Sequence, residues 1–263
     1  MPRVSKTFCI LLLSLICQAE MVVASTYAVI VGISNYQKFQ AGKGDLFFAN
    51  RDARLMHSYL TAPDGLKIPK ENVILLTDAE ATKPNILKAL ELFEKAKPDD
   101  QVIFFFSGHG NKGVFLPYES SGIRPLVTHQ EIKQKFRSCR AQQKICIADA
   151  CMSGTIQIRS FPEEETLSKT DNTNILVFLS SLSNQVSVEY RKLGQGVFTY
   201  FLLMALKGAA DQDNDRTITA LELYQFVSQR VRSYSKQNDP ARKEQIPIMF
   251  GRFPKDLPIA RLP

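Results

Sequence analysis

Five apolar runs break up the chain: Tyr27–Ile33, Val73–Thr77, Gln101–Ser107, Lys144–Asp149 and Ile175–Ser180. Each is nearly continuous and ends in turn residues, the pattern of strands covered on both faces in a parallel sheet. Val114–Leu116 and Pro247–Phe250 predict two shorter strands. Helical spacing fills the gaps between these runs. Leu46–Leu60 is amphipathic, with Asp52, Arg54 and His57 elsewhere around the wheel. Lys83–Lys95 carries Pro84 early, where a missing N–H does little harm. Thr128 caps a helix to about Arg137, with Glu131 completing a capping box. Val197–Lys207 and Thr219–Tyr234 predict two more helices. Strands alternating with helices predict an α/β fold, a three-layer sandwich whose mainly parallel central sheet carries helices on both faces. No internal repeat or linker divides it. Thr155–Asn174, polar and aperiodic, reads as a long loop.

The first 24 residues follow a different rule. Arg3 and Lys6 precede the apolar stretch Phe8–Cys17, and Val22 and Ala24 set small or aliphatic residues before Ser25. That order predicts a signal peptide over residues 1–24, with the folded domain at 25–263, and hence export to the periplasm or beyond. The competing reading is a buried first helix; a lipid anchor at Cys17 lacks the small residue such a site wants before it. No apolar run reaches the ~18 residues of a membrane span.

Composition narrows the class. The chain has 263 residues, 44% hydrophobic and 22% charged, which excludes a disordered or fibrous protein. A net charge of +7 arises from scattered Lys and Arg without a basic block, so a solvated surface is favoured over nucleic-acid binding. With the leader removed, Cys139, Cys146 and Cys151 remain. Cys139 and Cys146 fit either a disulfide or two reduced core thiols, which leaves Cys151 to be explained.

Ligands of open parallel sheets bind beyond the carboxyl ends of the strands. The third predicted strand delivers Ser107-Gly108-His109-Gly110, and the fourth delivers Asp149-Ala150-Cys151-Met152-Ser153-Gly154. If both strands are central, His109 and Cys151 share one crevice. A thiol beside an imidazole is the minimal nucleophile–base pair for acyl transfer. The flanking glycines let a substrate backbone approach and let main-chain N–H groups turn inward.

These residues resemble the caspase–metacaspase family of cysteine peptidases, and the resemblance is nearest to its bacterial, exported, metacaspase-like branch. YAVIVGISNY with Asn50-Arg-Asp-Ala53, the His and Cys turns, and Gly196-Val-Phe-Thr-Tyr-Phe-Leu-Leu all match, in order, over nearly all of Tyr27–Gly251. The resemblance implies a cysteine endopeptidase with Cys151 as nucleophile, His109 as general base and the N–H groups of Gly110 and Cys151 as oxyanion hole. It also implies an acidic pocket from Asp52 and Asp149, with Ser107 beside them, and protein or peptide substrates with Arg or Lys before the scissile bond. Two carboxylates in a confined pocket suit a guanidinium or ammonium. Arg51 and Arg54 flank Asp52 but point to other helix faces. The competing class is a catalytically silent caspase-like domain that binds a partner or signals with calcium.

The paired aspartates that hold activating calcium in metacaspases are not evident; Glu119 and Glu131 are the acids near that stretch. A second acidic motif lies later. Asp211, Asp213 and Asp215, the carbonyl of Thr217 and Glu222 fall at ligand positions of a 12-residue Ca2+ loop between two helices. Arg216 stands where glycine is wanted, and the alternative is a solvated turn capping the next helix through Thr219. A bound ion there would be structural, since the peptidase chemistry itself needs no cofactor. Phe201 and Met204 read as core. Tyr190-Arg191-Lys192, Arg159 and Lys169 each read as a solvated turn or an autocleavage site.

Overall fold

The computed structural model describes residues 24–38, 45–111, 113–150, 175–181, 189–239 and 244–262. The signal peptide expected at 1–24 falls outside these residues except for Ala24, as do Cys151, the loop expected at Thr155–Asn174, and Arg159 and Lys169 within it. The elements run β1 (Thr26–Gly32), α1 (Ala49–Thr61), β2 (Val73–Thr77), α2 (Lys83–Ala89), β3 (Gln101–Ser107), β4 (Gly110–Asn111), β5 (Val114–Phe115), β6 (Val127–Thr128), α3 (His129–Ser138) and β7 (Gln143–Asp149). They continue with β8 (Ile175–Leu179), β9 (Glu189–Tyr190), β10 (Gln195–Gly196), α4 (Val197–Met204), β11 (Thr217–Thr219), α5 (Ala220–Asn238), β12 (Ile248–Gly251) and β13 (Pro258–Arg261).

The main sheet has the order β12-β8-β7-β3-β1-β2. Its five inner-run strands are parallel, and β12 closes one edge antiparallel to β8. β3 and β7 are the central pair, the arrangement in which His109 and Cys151 are expected to share a crevice. Their register sets Gly32, Ser107 and Asp149 in one row across the carboxyl end of the sheet.

The apolar runs hide a period of two. Ala28, Ile30, Ile103, Phe105, Ile145 and Ile147 face α1, α4 and α5, where Ala53, Met56, Phe198, Leu202 and Val227 cover them. The alternate residues Val29, Val31, Phe104, Phe106, Cys146 and Ala148 face Ile86 of α2, Phe93, and Ile132 and Phe136 of α3. A strand with a core on each side has no polar face to reveal its period, which is why these runs read as continuous.

Several boundaries differ from the sequence pattern. α1 starts at Ala49, three residues after Leu46, because Phe48 is its N-cap. The helix from Lys83 is α-helical only to Ala89 and tightens to 3-10 over Leu90–Lys95. Val114–Leu116 belongs to a small antiparallel sheet of β4, β5 and β6. α4 loosens into a π turn at Ala205–Ala209, and α5 runs on to Asn238. The capping box of Thr128 and Glu131 is present. Phe201 is buried, but Met204 is 38% exposed and is not a core residue. α4 is apolar almost all round, so its sequence carries no polar stripe to show which side faces out.

Cys139 and Cys146 are buried free thiols, the reduced alternative. Burial pushes the Cys146 thiol up to about 12, so it stays protonated and inert. No helix among the described residues is long and apolar enough to cross a membrane.

Phe105 is fully buried at the centre of β3. Phe105→Ala is expected to lower unfolding stability by about 3–5 kcal/mol through the cavity it leaves. Equilibrium denaturant unfolding checks this: a loss below about 1 kcal/mol would mean that the core collapses to fill the space.

Candidate active site

The site starts where β3 and β7 end. Past Ser107, the N–H of Gly108 donates to the carbonyl of Asp149 at 3.1 Å, which ties the two strand exits together. A Cβ on Gly108 would meet the Tyr36 hydroxyl at 2.8 Å, so glycine is needed for the close approach. That hydroxyl accepts the N–H of His109 at 2.7 Å, and the two rings lie 5.0 Å apart. The carbonyl of His109 accepts the N–H of Leu116. Gly110 and Phe115 are therefore a non-hydrogen-bonded pair of the β4–β5 ladder, and the Gly110 N–H points away from β5. On the neighbouring strand, the N–H of Ala150 donates to Ser180 Oγ at 3.2 Å. The chain then enters Cys151, which lies outside the described residues. His109 thus leaves the sheet from the strand beside the one that leads into the thiol.

Asp52, Asp149 and Ser107 do come together. Asp52 sits in the first turn of α1, 1% exposed and facing the sheet. Asp149, at the end of β7, is 5% exposed. Arg51 and Arg54 point outward as expected, Arg54 bonding to Thr77 Oγ1 at 2.9 Å. Ser107 Oγ donates to Asp52 Oδ2 at 3.2 Å. The N–H of Gly196, the N-cap of α4, donates to both Asp52 oxygens at 3.2 Å. Two turns of polarity meet there, because Thr199 in the same helix gives both its N–H, at 3.2 Å, and its Oγ1, at 2.8 Å, to Asp149 Oδ2. The N-terminus of α4 thus holds both carboxylates.

Gly196 is the hinge of the arrangement. A Cβ there would lie 2.5 Å from Asp149 Oδ2 and 2.9 Å from Asp52 Oδ2. Its φ of −60° is open to any residue, so glycine is required by space alone. Burial first, and then the Asp149 charge, hold the Asp52 carboxyl well above its usual range.

One acid escaped the sequence reading. Glu189, on β9, accepts the N–H groups of Phe47 and Phe48 at 2.8 Å each and so caps α1 across the fold. Its carboxyl is raised chiefly by burial and also by Asp149, and the His109 charge acts the other way. Glu189 is therefore a third acid in the field of the site. A single Glu in an aperiodic tract carries no local signal of this. The β9–β10 hairpin, antiparallel with Tyr190 opposite Gln195, was also not predicted.

The sequence profile of the caspase domain matches residues 25–258 of this chain. This chain belongs to the caspase-domain family. Its relatives include a probable protease of a Desulfuromonadales bacterium, 26% identical over 78% of this chain and 29% of that protein. Metacaspase-1A of Aspergillus oryzae is 37% identical over 32% of this chain and 20% of its own length. Metacaspase-1B of Neurospora crassa is 26% identical over 59% of this chain and 42% of its own. This chain therefore spans less than half the length of each. Among solved structures, caspase-1 of Spodoptera frugiperda superimposes with a TM-score of 0.66 over 90% of both chains at 16% identity. A protein from Geobacter sulfurreducens gives 0.62 over 90% of this chain and 97% of its own, at 17% identity. Both share the fold.

Elsewhere in this caspase domain, Asp211, Asp213 and Asp215 bring one ligand oxygen each within 4.8 Å of the others. Asp211 Oδ1 is buried with no hydrogen-bond partner among the described residues. Arg216 takes the left-handed conformation (φ 67°) that glycine would favour, so the turn forms without one. These three residues fit a divalent cation. Glu222 fits less well: its Oε2 is taken by the N–H and hydroxyl of Thr219, and its Oε1 by the N–H of Gln212. Thr217 is in β11, paired with β13. Near the other candidate stretch, Glu119 accepts the Lys83 N–H, and Glu131 serves its capping box and pairs with Lys83 at 2.8 Å.

A carboxyl raised on folding opposes folding once it ionises. That penalty is absent below the ordinary carboxylate pKa of about 4 and complete above the raised value. Stability thus falls as pH climbs between the two. Asp52→Asn keeps an acceptor for Gly196 and cannot ionise, so its melting temperature is expected above wild type at neutral pH, with the gap closing below pH ~4. A thermal melt series over pH checks this, and a pH-independent gap would refute the cause.

Proposed function

We propose that this caspase domain is a cysteine endopeptidase that cuts peptide bonds after Arg or Lys. The observation that carries the reading is the buried pair of Asp52 and Asp149, set at the end of the two central strands that lead to His109 and Cys151. Two carboxylates beside Ser107, with Glu189 in their field, suit a basic side chain that brings its own counter-charge into a dry pocket. The names of the bacterial protease and the fungal metacaspases support the same chemistry.

In this mechanism the Cys151 thiol gives its proton to His109, and the thiolate attacks the carbonyl carbon after the basic residue. Negative charge moves to the carbonyl oxygen, which the N–H groups of Gly110 and Cys151 receive; the turn of Gly110 away from β5 leaves its N–H for that use. The tetrahedral centre collapses, the C–N bond breaks, and His109 returns the proton to the departing amine. Water, deprotonated by His109, then attacks the thioester. It releases the new carboxyl terminus and restores the thiol. The basic, apolar and small residues of segment 1–24 support an exported protein, and calcium in the 211–222 loop would be structural.

Fluorogenic peptides ending in Arg, Lys, Asp or Ala, with and without calcium, test the proposal. Cleavage is expected after Arg and Lys and abolished by Cys151→Ala. Asp149→Ala is expected to lower kcat/KM on Arg peptides about 30-fold or more, as loss of one partner of a buried charge pair does. Cleavage after Asp, or activity retained in Cys151→Ala, would overturn it.

A further inference from the structure

The hairpin that carries Glu189 toward the acids carries opposite charge on its outer side. Its turn holds Arg191 and Lys192, both exposed. The guanidinium of Arg191 lies over the ring of Phe47, 4.8 Å from its centroid. Phe47 is 63% exposed, one of three large apolar side chains exposed among the described residues. Its N–H is one of the two held by Glu189. Arg51, the neighbour of Asp52 on α1, reaches the same turn: its Nη1 lies 2.8 Å from where a Cβ of Gly194 would be. Gly194 in turn donates its N–H to the carbonyl of Arg191 at 3.2 Å. Arg51 and Arg191 thus converge on one turn, which also carries the exposed Lys192, and none of the three forms an ion pair among the described residues.

Cations gathered at one turn repel one another, and an anion near them relieves that repulsion; the half-buried Glu189 carboxylate is held by the main-chain N–H groups of Phe47 and Phe48. Two of the cations are set by the main chain of the acid pocket itself: Arg51 adjoins Asp52, and Arg191 is two residues from Glu189. The exposed face of Phe47 gives the same rim an apolar floor. We infer that this rim is a second recognition subsite, which takes an acidic side chain of the peptide flanking the basic residue in the pocket. The charges then form a complementary pair of opposites: substrate cation on protein acids inside, substrate carboxylate on protein cations outside. The inference rests on the acid-pocket reading only for where the basic residue lies.

Equilibrium binding to the full chain carrying Cys151→Ala tests it without requiring turnover. Fluorescently labelled hexapeptides hold one Arg fixed and place Asp, Ala or Lys at each other position, and anisotropy reads the Kd. At one flanking position or more, Asp is expected to bind about three- to fivefold tighter than Lys at low ionic strength. The difference is expected to shrink in ~0.5 M salt. Arg191→Glu is expected to invert it, and Arg51→Gln to reduce it. Equal binding of Asp and Lys peptides at every position, or a preference that survives Arg191→Glu combined with Arg51→Glu, overturns the subsite and leaves the acid pocket standing. An Asp preference that persists when Ala replaces the fixed Arg without loss of affinity keeps the subsite and overturns the pocket. No binding of any peptide overturns both.

Discussion

Two buried carboxylates face each other across a residue with no side chain, and most of the fold is arranged so that this can be. Asp52 and Asp149 come from elements far apart in sequence, and each is desolvated. Like charges in such a place oppose folding strongly. The opposition is met by donors rather than by a neighbouring cation at Asp52: Ser107 Oγ and the Gly196 N–H bond to that residue, and two groups of Thr199 bond to Asp149. Three of these four donors belong to the cap and first turn of α4, whose dipole adds to them. The sheet register brings Ser107 beside Asp149, and α1 packs Ala53 and Met56 on the sheet so that Asp52 turns inward. Glycine at 196 is then the one residue that fits between the acids.

Such an arrangement weakens a fold without improving its core, and the proposed function gives it a reason to be there. A protein under no demand at this place would fill it with apolar residues, which pack at less penalty than a charge pair. The polar cluster sits where parallel sheets leave a crevice, beside the residue that resemblance names as base. Donors already in place also mean that, in the proposed function, the carboxylates need not reorganise around a substrate cation.

The layout of the sheet was legible because five long apolar runs end abruptly in polar turns. His109 and Asp149 could be placed for the same reason: each stands at such an ending. Asp52 could not be found from pattern alone, since one acid on an amphipathic helix looks like any other; only the resemblance singled it out. The two-residue strands β4, β9 and β10 are too short to have a period, and with them the hairpin and Glu189 were invisible. Glu189 acts through contacts 141 and 142 residues away, a separation that local pattern cannot reach. Met204 was misread because α4 lacks a polar face. The Asp211–Glu222 loop shows the reverse case. Its motif was plain, yet the structure spends Glu222 on the cap of α5, a use that the same spacing of Thr219 and Glu222 also encodes.

Net charge and local charge point in opposite directions here, and the distances decide between them. A chain of +7 repels a basic peptide at long range. Salt screens that repulsion beyond about 8 Å at physiological ionic strength. Asp52 and Asp149 are buried, so a charge in contact with them is screened less than one at the surface. In the proposed function, selection for a basic side chain therefore follows encounter and falls to the donor-held carboxylates. In the proposed subsite, the encounter falls to Arg51, Arg191 and Lys192, all three exposed. On these two proposals together, a peptide carrying both signs meets attraction at both stages, whereas a uniformly basic one must first pass the rim. One hairpin would serve both proposed stages, because Glu189 and Arg191 are two residues apart, the first half-buried and the second exposed.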